Sequence, residues 1–273
     1  MRLPPPSDVG RSPARIGPAG TLHWFWIDRL PWLLKIPIMK KPRARKPTKL
    51  RILTVDVGGT RVKFGVSGHK ERREFASGPK LSAQRMVAMV KRMTADWTYD
   101  VVSIGYPGVV LRDRIMAEPR NLGRGWRGFD FERAFRRPVK IVNDAVMQAL
   151  GSYRGGRMLF LGLGTGLGST LIIDGVIAPM ELAHLPYRNG KTFEDYVGVA
   201  GLNRLGKTKW RMYVVDVVER LTAALEPEYV ILGGGNAKKL GKKLPRLAQM
   251  RSSDSALKGG RKLWSESAGR RTR

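Results

Sequence analysis

Two aspartates lie near the ends of apolar runs, where a carboxylate can reach a ligand. Asp56 comes just before a glycine turn, and Asp144 lies between Asn143 and a helix-forming stretch. A buried carboxylate costs free energy unless it has a partner, and water bound to Mg²⁺ beside phosphates is a natural partner for Asp56. Phosphoryl transfer to a hydroxyl needs a carboxylate within hydrogen-bond reach of the attacking oxygen. Asp144 fits that role, and from its spacing alone it fits a helix N-cap equally well.

Two glycine turns repeat the same arrangement along the chain. Each follows an apolar strand and leads into a returning strand, as in RILTVDVGGTRVKFGVSG and RMLFLGLGTGLGSTLIIDG. Without a Cβ, the backbone N–H groups of such turns can approach phosphate closely. The repeat predicts two similar halves that present their turns to a shared cleft, with Thr60 and Thr165 as hydroxyl donors and Lys63 as a neutralising charge. A single turn of this kind would indicate no more than a tight hairpin.

Glu181 and His184 form a further candidate pair, which their spacing places on one side of a turn or helix. Both residue types can ligate a metal, but two ligands without cysteine make an incomplete site. Hydrogen bonding to sugar hydroxyls suits the pair better. A structural role for His184 is an alternative that the sequence leaves open.

Strands and helices alternate around these residues. Apolar and β-branched runs predict strands, and apolar residues at helical spacing predict helices. The predicted strands are 51–57, 61–68, 101–106, 139–142, 158–163, 169–174 and 229–232. The predicted helices are 82–94, 145–153 and 209–225, and a further helix begins at 236–240. Both aspartates and both glycine turns therefore fall at strand ends.

The composition limits the partners that the chain can have. Its 273 residues include no cysteine, which excludes disulfides and thiolate metal sites. The formal net charge is +29, with 11 Lys or Arg against 2 acidic residues in 1–50 and 12 against 2 in 237–273. Basic ends attract polyanions through counterion release and steering. A solvated basic tail is an equally good interpretation.

Residues 1–49 lack the pattern of a folded domain. Pro31 and Pro37 interrupt the apolar stretch 21–39, which also contains charged residues, so it is a poor membrane span. No clean small-residue cleavage site follows, as a signal peptide would require. We expect either a disordered basic extension or a misassigned start, with translation beginning at Met39. An intact-mass measurement on the native protein tests the second hypothesis, which retention of Met1 would contradict.

Six ordered motifs resemble those of the ROK family (repressors, open reading frames, kinases), within the superfamily of actin, Hsp70 and sugar kinases. They are Asp56-Val-Gly-Gly-Thr-Arg-Val-Lys63, Gly105-Tyr-Pro-Gly108, Asn143-Asp144-Ala145, Gly164-Thr-Gly-Leu-Gly168, Glu181-Leu-Ala-His184 and Gly233-Gly-Gly235. The stretches 119–126, 185–198 and 231–239 are similar to signature stretches of the polyphosphate glucokinase branch. The similarity spans residues 50–264.

The resemblance implies an α/β fold of two actin-like, ribonuclease H-like domains around a central cleft, preceded by the irregular basic extension. The N-terminal domain, with the first phosphate loop, would span 50–143. The C-terminal domain, with the second phosphate loop and the sugar-binding segment, would span 144–264. Residues 265–273 would form a basic tail.

The resemblance also implies a role for each motif residue. Asp144 would be the general base on the sugar 6-hydroxyl. Mg²⁺ would be held through the phosphates, with Asp56 as a candidate ligand. The phosphate-binding residues would be Asp56, Gly58, Gly59, Thr60, Lys63, Gly164, Thr165 and Gly166. The sugar-binding residues would be Asn121, Asn143, Glu181, His184 and Glu194. The ribose and base of a nucleotide would face Gly233, Gly234 and Gly235.

The chain departs from the family pattern in three places. Many members carry a Cys-rich zinc motif beside the sugar-binding His. This chain has no cysteine, so no structural zinc is expected here. Ala183 replaces the Gly that usually precedes that His. The proline-containing segment 1–50 shows no helix-turn-helix of the kind that the family's repressors carry.

The implied activity is a glucokinase that transfers a phosphoryl group from inorganic polyphosphate, with ATP as a second candidate donor, to the 6-hydroxyl of glucose. The alternatives are an ATP-dependent kinase of another hexose and a non-catalytic sugar-sensing regulator. Retention of Asp144 argues against a catalytically silent protein, and the missing helix-turn-helix argues against a DNA-binding one. We expect a cytoplasmic homodimer with no specific nucleic-acid partner and no membrane association.

Overall fold

Two five-stranded sheets flanked by helices make up the described part of the chain. The computed structural model describes residues 50–241, 244–251 and 254–265. The predicted extension at 1–49 and the predicted tail from residue 266 onward lie outside the described residues. The predicted α/β class is confirmed, whereas the domain boundary at residue 143 stays a prediction.

The first sheet is built around a strand that is buried on both faces. Its strands are β1 (Ile52–Val57), β2 (Arg61–Val66), β3 (Arg73–Ala76), β4 (Val101–Tyr106) and β7 (Val139–Asn143). They are ordered β3-β2-β1-β4-β7. β1 pairs antiparallel with β2 and parallel with β4, so its near-continuous apolar sequence is the kind that a central strand needs. A small hairpin of β5 (Val110–Leu111) and β6 (Arg114–Ile115) follows β4.

The second sheet repeats this plan, as the internal sequence repeat predicts. Its strands are β8 (Arg157–Leu163), β9 (Leu167–Ile173), β10 (Val176–Met180), β11 (Tyr229–Gly233) and β12 (Ala248–Met250). They are ordered β10-β9-β8-β11-β12. In each sheet a three-stranded antiparallel meander is followed by strands that run parallel to its first strand. Each glycine turn therefore joins the first two strands of a meander.

Six helices of the described ranges cover the sheets. They are α1 (Ala83–Met93), α2 (Phe131–Phe135), α3 (Asp144–Ser152), α4 (Phe193–Val197), α5 (Val199–Leu225) and α6 (Ser255–Lys262), with 3₁₀ turns at Leu182–His184 and Ala237–Leu240. None of these helices has the length and apolar character needed to cross a membrane. α5 is kinked at Gly206, whose φ of 73° lies in the left-handed region. The sequence predicted only the part of α5 that follows this kink.

Helices α3 and α6 lie between the two sheets. α3 shares an apolar cluster with β8 and α6 that includes Met147, Phe160 and Ala256. α6 also reaches the first sheet, where Ser103 Oγ donates a hydrogen bond to the carbonyl of Gly260 at 2.7 Å. The helix pair therefore links both sheets, and it fixes the position of the residue at which α3 begins.

Glycines make the close approach of α3 and α6 possible. A Cβ at Gly259 of α6 would overlap the carbonyl oxygen of Met147 in α3, and a Cβ at Gly151 of α3 would overlap the carbonyl oxygen of Ser255. Both obstacles are backbone atoms, which cannot rotate away as a side chain can. The two helices must move apart if either glycine gains a side chain.

We expect Gly259→Ala to lower the free energy of unfolding by about 1–3 kcal/mol, the usual cost of overpacking. An unhindered Gly→Ala change inside a helix would instead stabilise it by about 0.5–1 kcal/mol. A decrease in the free energy of unfolding therefore reports the close contact between α3 and α6. Urea denaturation followed by circular dichroism measures the effect. Lys258→Ala, on the exposed side of the same helix, is the control and should change stability little. A Gly259→Ala protein as stable as the parent would contradict this packing.

Candidate active site

The first glycine turn, Gly58 to Thr60, is held by the segment that follows β3. The N–H of Gly58 donates to the carbonyl of Arg61 across the turn at 3.0 Å. Ser77 then fixes the outside of the turn, because its Oγ donates to the carbonyl of Gly58 at 2.7 Å and its N–H to that of Thr60 at 3.0 Å. Sequence reasoning missed Ser77, because it lies outside every motif and nothing local marks it.

The second glycine turn, Gly164 to Gly166, is held by a side chain and a backbone N–H from elsewhere in the sequence. Glu194 of α4 accepts a hydrogen bond from the N–H of Leu167 at 3.1 Å, and its carboxylate occupies the space where a Cβ of Gly166 would lie. The N–H of Val199 donates to the carbonyl of Thr165 at 3.1 Å. The junction of α4 and α5 therefore shapes the second turn, and Glu194 contacts this turn directly.

A third glycine segment, Gly233 to Gly235, lies against the second turn. Gly234 has a φ of 81°, and its Cα packs on the backbone of Leu163, which leaves no room for a side chain. The amide of the next residue, Asn236, donates to the carbonyl of Gly164 at 3.0 Å. Asn236 is a second residue that sequence reasoning missed, although it directly follows a motif.

The two turns meet at one site. A Cβ at Gly59 would lie 3.4 Å from Oγ1 of Thr165 and 3.9 Å from Cβ of Asn121. Residues that are far apart in the sequence are therefore within contact distance. The structure brings the two candidate phosphate loops and the first candidate sugar residue together at the same place between the sheets.

Asp144 begins α3 at this site, but it is not the N-cap of the helix. Asn143 is the N-cap, since its Oδ1 accepts from the N–H groups of Ala145 at 2.9 Å and Val146 at 3.3 Å. The N-cap interpretation of Asp144 is therefore wrong. The Asp144 carboxylate accepts from the N–H of Ala145 at 2.8 Å and is only partly exposed.

The amide of Asn143 is largely committed within the protein. Besides capping α3 with its oxygen, it donates through Nδ2 to the carbonyl of Gly108 at 3.1 Å. One amide hydrogen is left for a ligand. The predicted sugar contact of Asn143 stays a prediction, and the structure gives this residue a positioning role next to Asp144.

Asp56 and Asp144 are both neighbours of Gly105. Gly105 is the register partner of Asp56 in the β1–β4 pairing, and a Cβ at Gly105 would lie 3.5 Å from the Cα of Asp144. The absence of a side chain at Gly105 lets α3 begin close to β4, and the charge of Asp56 acts on the Asp144 carboxyl.

Burial raises both carboxyl pKa values. Burial raises the pKa of Asp144 to about 7, and the negative charges of Asp56 and Glu181 add to the shift. Burial raises the pKa of Asp56 to about 6, although the ammonium of Lys63 opposes the shift. Lys63 is the register partner of Asp56 across the β1–β2 hairpin. Strongly perturbed carboxyl groups that converge in a cleft are typical of acid–base sites.

Glu181 and His184 frame the 3₁₀ turn that follows β10, and both are exposed. Ser169 of β9 holds this turn, because its Oγ accepts from the N–H of Leu182 at 3.1 Å and donates to the carbonyl of Met180 at 2.8 Å. The charge of Glu181 reaches Asp144, so Glu181 belongs to the same site. Ala183, the departure from the family pattern, is buried beneath the turn.

A cavity of about 220 Å³ opens beside Asp56 and Lys63 and extends toward Arg72 and Asp254. The Asp56 carboxylate accepts no hydrogen bond from the residues that the structure describes, so its oxygens are available to a ligand. One such carboxylate, next to turns that are candidates for binding phosphate, fits Mg²⁺, which proteins usually bind through one or two carboxylates plus phosphate oxygens and water. Across the described ranges, no three His, Asp or Glu side chains converge as ligands of a metal ion.

Comparison with proteins of known structure supports the same fold. An inorganic polyphosphate/ATP-glucomannokinase from Arthrobacter sp. strain KM superposes with a TM-score of 0.69, over 81% of this chain and 99% of that one, at 21% identity. The chain thus shares the fold of that protein, with two actin-like α/β domains around a central cleft, as the sequence predicted.

A family model matches part of the sequence. The ROK family model matches residues 52–179, a segment that includes β1 to β9, both glycine turns and Asp144. This match confirms, over residues 52–179, the resemblance that the motifs carry.

Individual relatives are moderately similar. A polyphosphate glucokinase of Mycobacterium tuberculosis (strain ATCC 25177 / H37Ra) is 29% identical over 161 residues, which are 54% of this chain and 60% of that protein. A kanosamine kinase of Amycolatopsis mediterranei (strain S699) is 29% identical over 145 residues, which are 46% of this chain and 47% of that protein. The chain thus matches less than two thirds of the length of either relative.

The raised carboxyl pKa values predict how stability depends on pH. Between the ordinary pKa of 3.8 and the folded value of about 7, the folded state binds more protons than the unfolded chain, so the free energy of unfolding falls as pH rises. One such group contributes a slope of at most about 1.4 kcal/mol per pH unit. We expect Asp144→Asn to gain stability relative to the parent as pH rises from 4.5 to 7.5.

Urea denaturation at a series of pH values measures this difference. Asp174→Asn, at an exposed turn with a φ of 47° that asparagine tolerates, is the matched control and should run parallel to the parent. Parallel curves for Asp144→Asn as well would show that the carboxyl of Asp144 is not desolvated in the folded protein.

Proposed function

We propose that this protein is a sugar kinase that transfers a phosphoryl group from inorganic polyphosphate, or from ATP, to the 6-hydroxyl of glucose. One observation carries the proposal: a carboxylate with a raised pKa, Asp144, lies where two glycine turns from different sheets converge. The family match and the similarity to a mycobacterial polyphosphate glucokinase support the same conclusion.

Asp144 serves as the general base in this proposal. Its carboxylate accepts the proton of the sugar hydroxyl while the hydroxyl oxygen attacks the terminal phosphorus of the donor and the bond to the leaving phosphate oxygen breaks. A pKa of about 7 suits a base that works near neutral pH. Asn143 fixes the first turn of α3, and thereby the direction in which the Asp144 carboxylate points.

The two turns supply the phosphate site. Their backbone N–H groups and the hydroxyls of Thr60 and Thr165 face the donor, and the ammonium of Lys63 offsets part of its charge. Mg²⁺, when bound, neutralises charge on the donor phosphates, and the carboxylate of Asp56 is the group of this chain that would hold it. The remaining phosphate contacts in the proposal are Gly58, Gly59, Gly164 and Gly166.

The sugar lies on the other side of Asp144. The exposed groups of Asn121, Glu181 and His184 can exchange hydrogen bonds with its hydroxyls. Glu194 has one carboxylate oxygen committed to the N–H of Leu167, so its other oxygen is the candidate acceptor for a hydroxyl.

A second candidate is an ATP-dependent kinase of another hexose. The similarity to a kanosamine kinase favours it, and so does the segment Gly233 to Gly235, the candidate nucleotide site, which lies beside the second turn and has no atom within 4 Å of where a Cβ of Gly235 would lie. A homodimeric, cytoplasmic enzyme stays a prediction from the resemblance.

An assay of the purified chain tests the proposal. We expect glucose 6-phosphate to form with polyphosphate or ATP, and Asp144→Asn to lower kcat by about 10²–10⁴-fold, the usual contribution of a general base. Asp174→Asn is the control and should retain full activity. Mannose and kanosamine in the same assay separate the two candidates.

The outcomes are distinct. No sugar phosphate from any donor and sugar would overturn the kinase proposal. Activity with another hexose but not with glucose would favour the second candidate. Full activity of Asp144→Asn would remove Asp144 from the mechanism without affecting the assignment as a kinase.

A further inference from the structure

A loop at the edge of the candidate site, Glu118 to Gly128, exposes positive charge next to the first glycine turn. We propose that Lys80, Arg120, Arg124 and Arg127, here called the basic rim, bind the phosphates of a polyphosphate chain beyond those that enter the cleft. This inference rests on the proposed function, since it assigns a track for one of the two candidate donors.

The loop is anchored firmly from within. Trp126 is completely buried, and its indole N–H donates to the carbonyl of Leu81 at 3.1 Å. The N–H of Gly123 donates to the same carbonyl at 3.1 Å, and buried Leu122 packs in the core of the first sheet. Both hydrogen bonds go to Leu81, and Lys80 is the residue before it. Lys80 therefore lies directly beside the loop.

The only acid of the loop is bonded to the loop's own backbone. Glu118 accepts hydrogen bonds from the N–H of Trp126, at 3.3 and 3.2 Å to its two oxygens, and from the N–H of Arg127 at 3.2 Å. These bonds lower the pKa of Glu118 and keep it charged, and Arg124 contributes to this shift. Glu118 thus stabilises the loop, and it offsets only one of the four rim cations.

The four rim cations are all exposed. Within the described ranges, none of them makes a side-chain hydrogen bond or an ion pair with an acid. Other arginines near the first turn behave differently, since Arg61 pairs with Glu74, Arg72 with Asp254, and Arg73 with both Glu71 and Asp96. The basic rim therefore keeps an excess of positive charge. On the neighbouring surface, by contrast, acidic side chains neutralise the arginines.

The rim continues directly from the first turn. Asn121, which follows Arg120 in the chain, comes within contact distance of Gly59. On the other side, Ser77 is bonded to both Gly58 and Thr60 and leads along the chain to Lys80. A chain of phosphates that leaves the cleft past Gly59 meets these cations first.

Polyphosphate matches this surface better than ATP does. ATP has only three phosphates, and these are attached to a nucleoside. The predicted site for that nucleoside is the segment Gly233 to Gly235, which belongs to the other sheet. A polyphosphate repeats its charge along its length, and guanidinium groups bind phosphate oxygens in a bidentate manner. If each exposed cation contacts one phosphate, the affinity for polyphosphate rises with the number of such contacts and falls as the salt concentration rises.

The test compares a triple variant, Lys80→Gln, Arg120→Gln and Arg124→Gln, with a control variant, Arg92→Gln and Arg133→Gln. The control cations are exposed on α1 and α2, and in the described ranges their side chains make no hydrogen bond or ion pair. Two readouts are used: binding of a fluorescently labelled long-chain polyphosphate measured by anisotropy, and KM and kcat with long-chain polyphosphate, tripolyphosphate and ATP.

We expect the triple variant to raise Kd and KM for long-chain polyphosphate at least tenfold. We expect KM for tripolyphosphate and ATP, and kcat with every donor, to stay within about twofold of the parent. The slope of log Kd against log salt should fall by about 0.7 for each phosphate that the substituted cations no longer bind. The basic segments 1–50 and 237–273 are present in every variant, so they contribute equally and cancel in the comparison.

Several results would overturn the inference. One is an unchanged Kd for long-chain polyphosphate in the triple variant, and another is an equal rise in this Kd in the control variant. A third is displacement of polyphosphate by a single-stranded DNA of the same charge at equal concentration. A parent that uses ATP and neither uses nor binds polyphosphate would also overturn it while leaving the kinase proposal standing. If no donor supports catalysis but the triple variant alone loses polyphosphate binding, the proposed function fails and the rim stands.

Discussion

Two carboxylates share a partly desolvated space between the sheets, and the rest of the site is arranged around this constraint. The ammonium of Lys63 faces Asp56 across the hairpin, and the first turn of α3 directs its N–H groups and the positive end of its dipole toward Asp144. Burial still outweighs these favourable contacts, because the pKa values of both carboxyls are raised. A phosphate group or a metal ion that enters this space therefore changes the pKa values of both carboxyls.

The position of Asp144 depends on a helix near the end of the described chain. α3 begins at Asp144 and is packed along its length against α6, with backbone contact at Gly151 and Gly259. α6 is also bonded to the first sheet through Ser103. The first residue of α3 is therefore fixed relative to both sheets by packing at Gly151, about 10 Å farther along the helix axis at the usual rise per residue.

The central elements of the fold could be predicted because their signals are local. The helix 82–94 was predicted almost to the residue, since Ser82 caps α1 and apolar residues recur at helical spacing. β3, β10 and β12 were missed, because edge strands need little apolar sequence and depend on a partner strand. α6 was missed for a similar reason: three of its eight residues are glycine or serine, which are poor helix formers, and its stability comes from packing against α3.

The candidate site shows the same division between local and distant information. Motif residues such as Asp56 and Thr165 could be selected from spacing, but the partners that shape the turns could not. Ser77 and Asn236 act through hydrogen bonds to backbone carbonyls, and no residue type or spacing reveals such bonds before the chain is folded. The contact between Gly59 and Thr165 depends on the relative placement of two sheets, which the internal repeat suggests but does not determine.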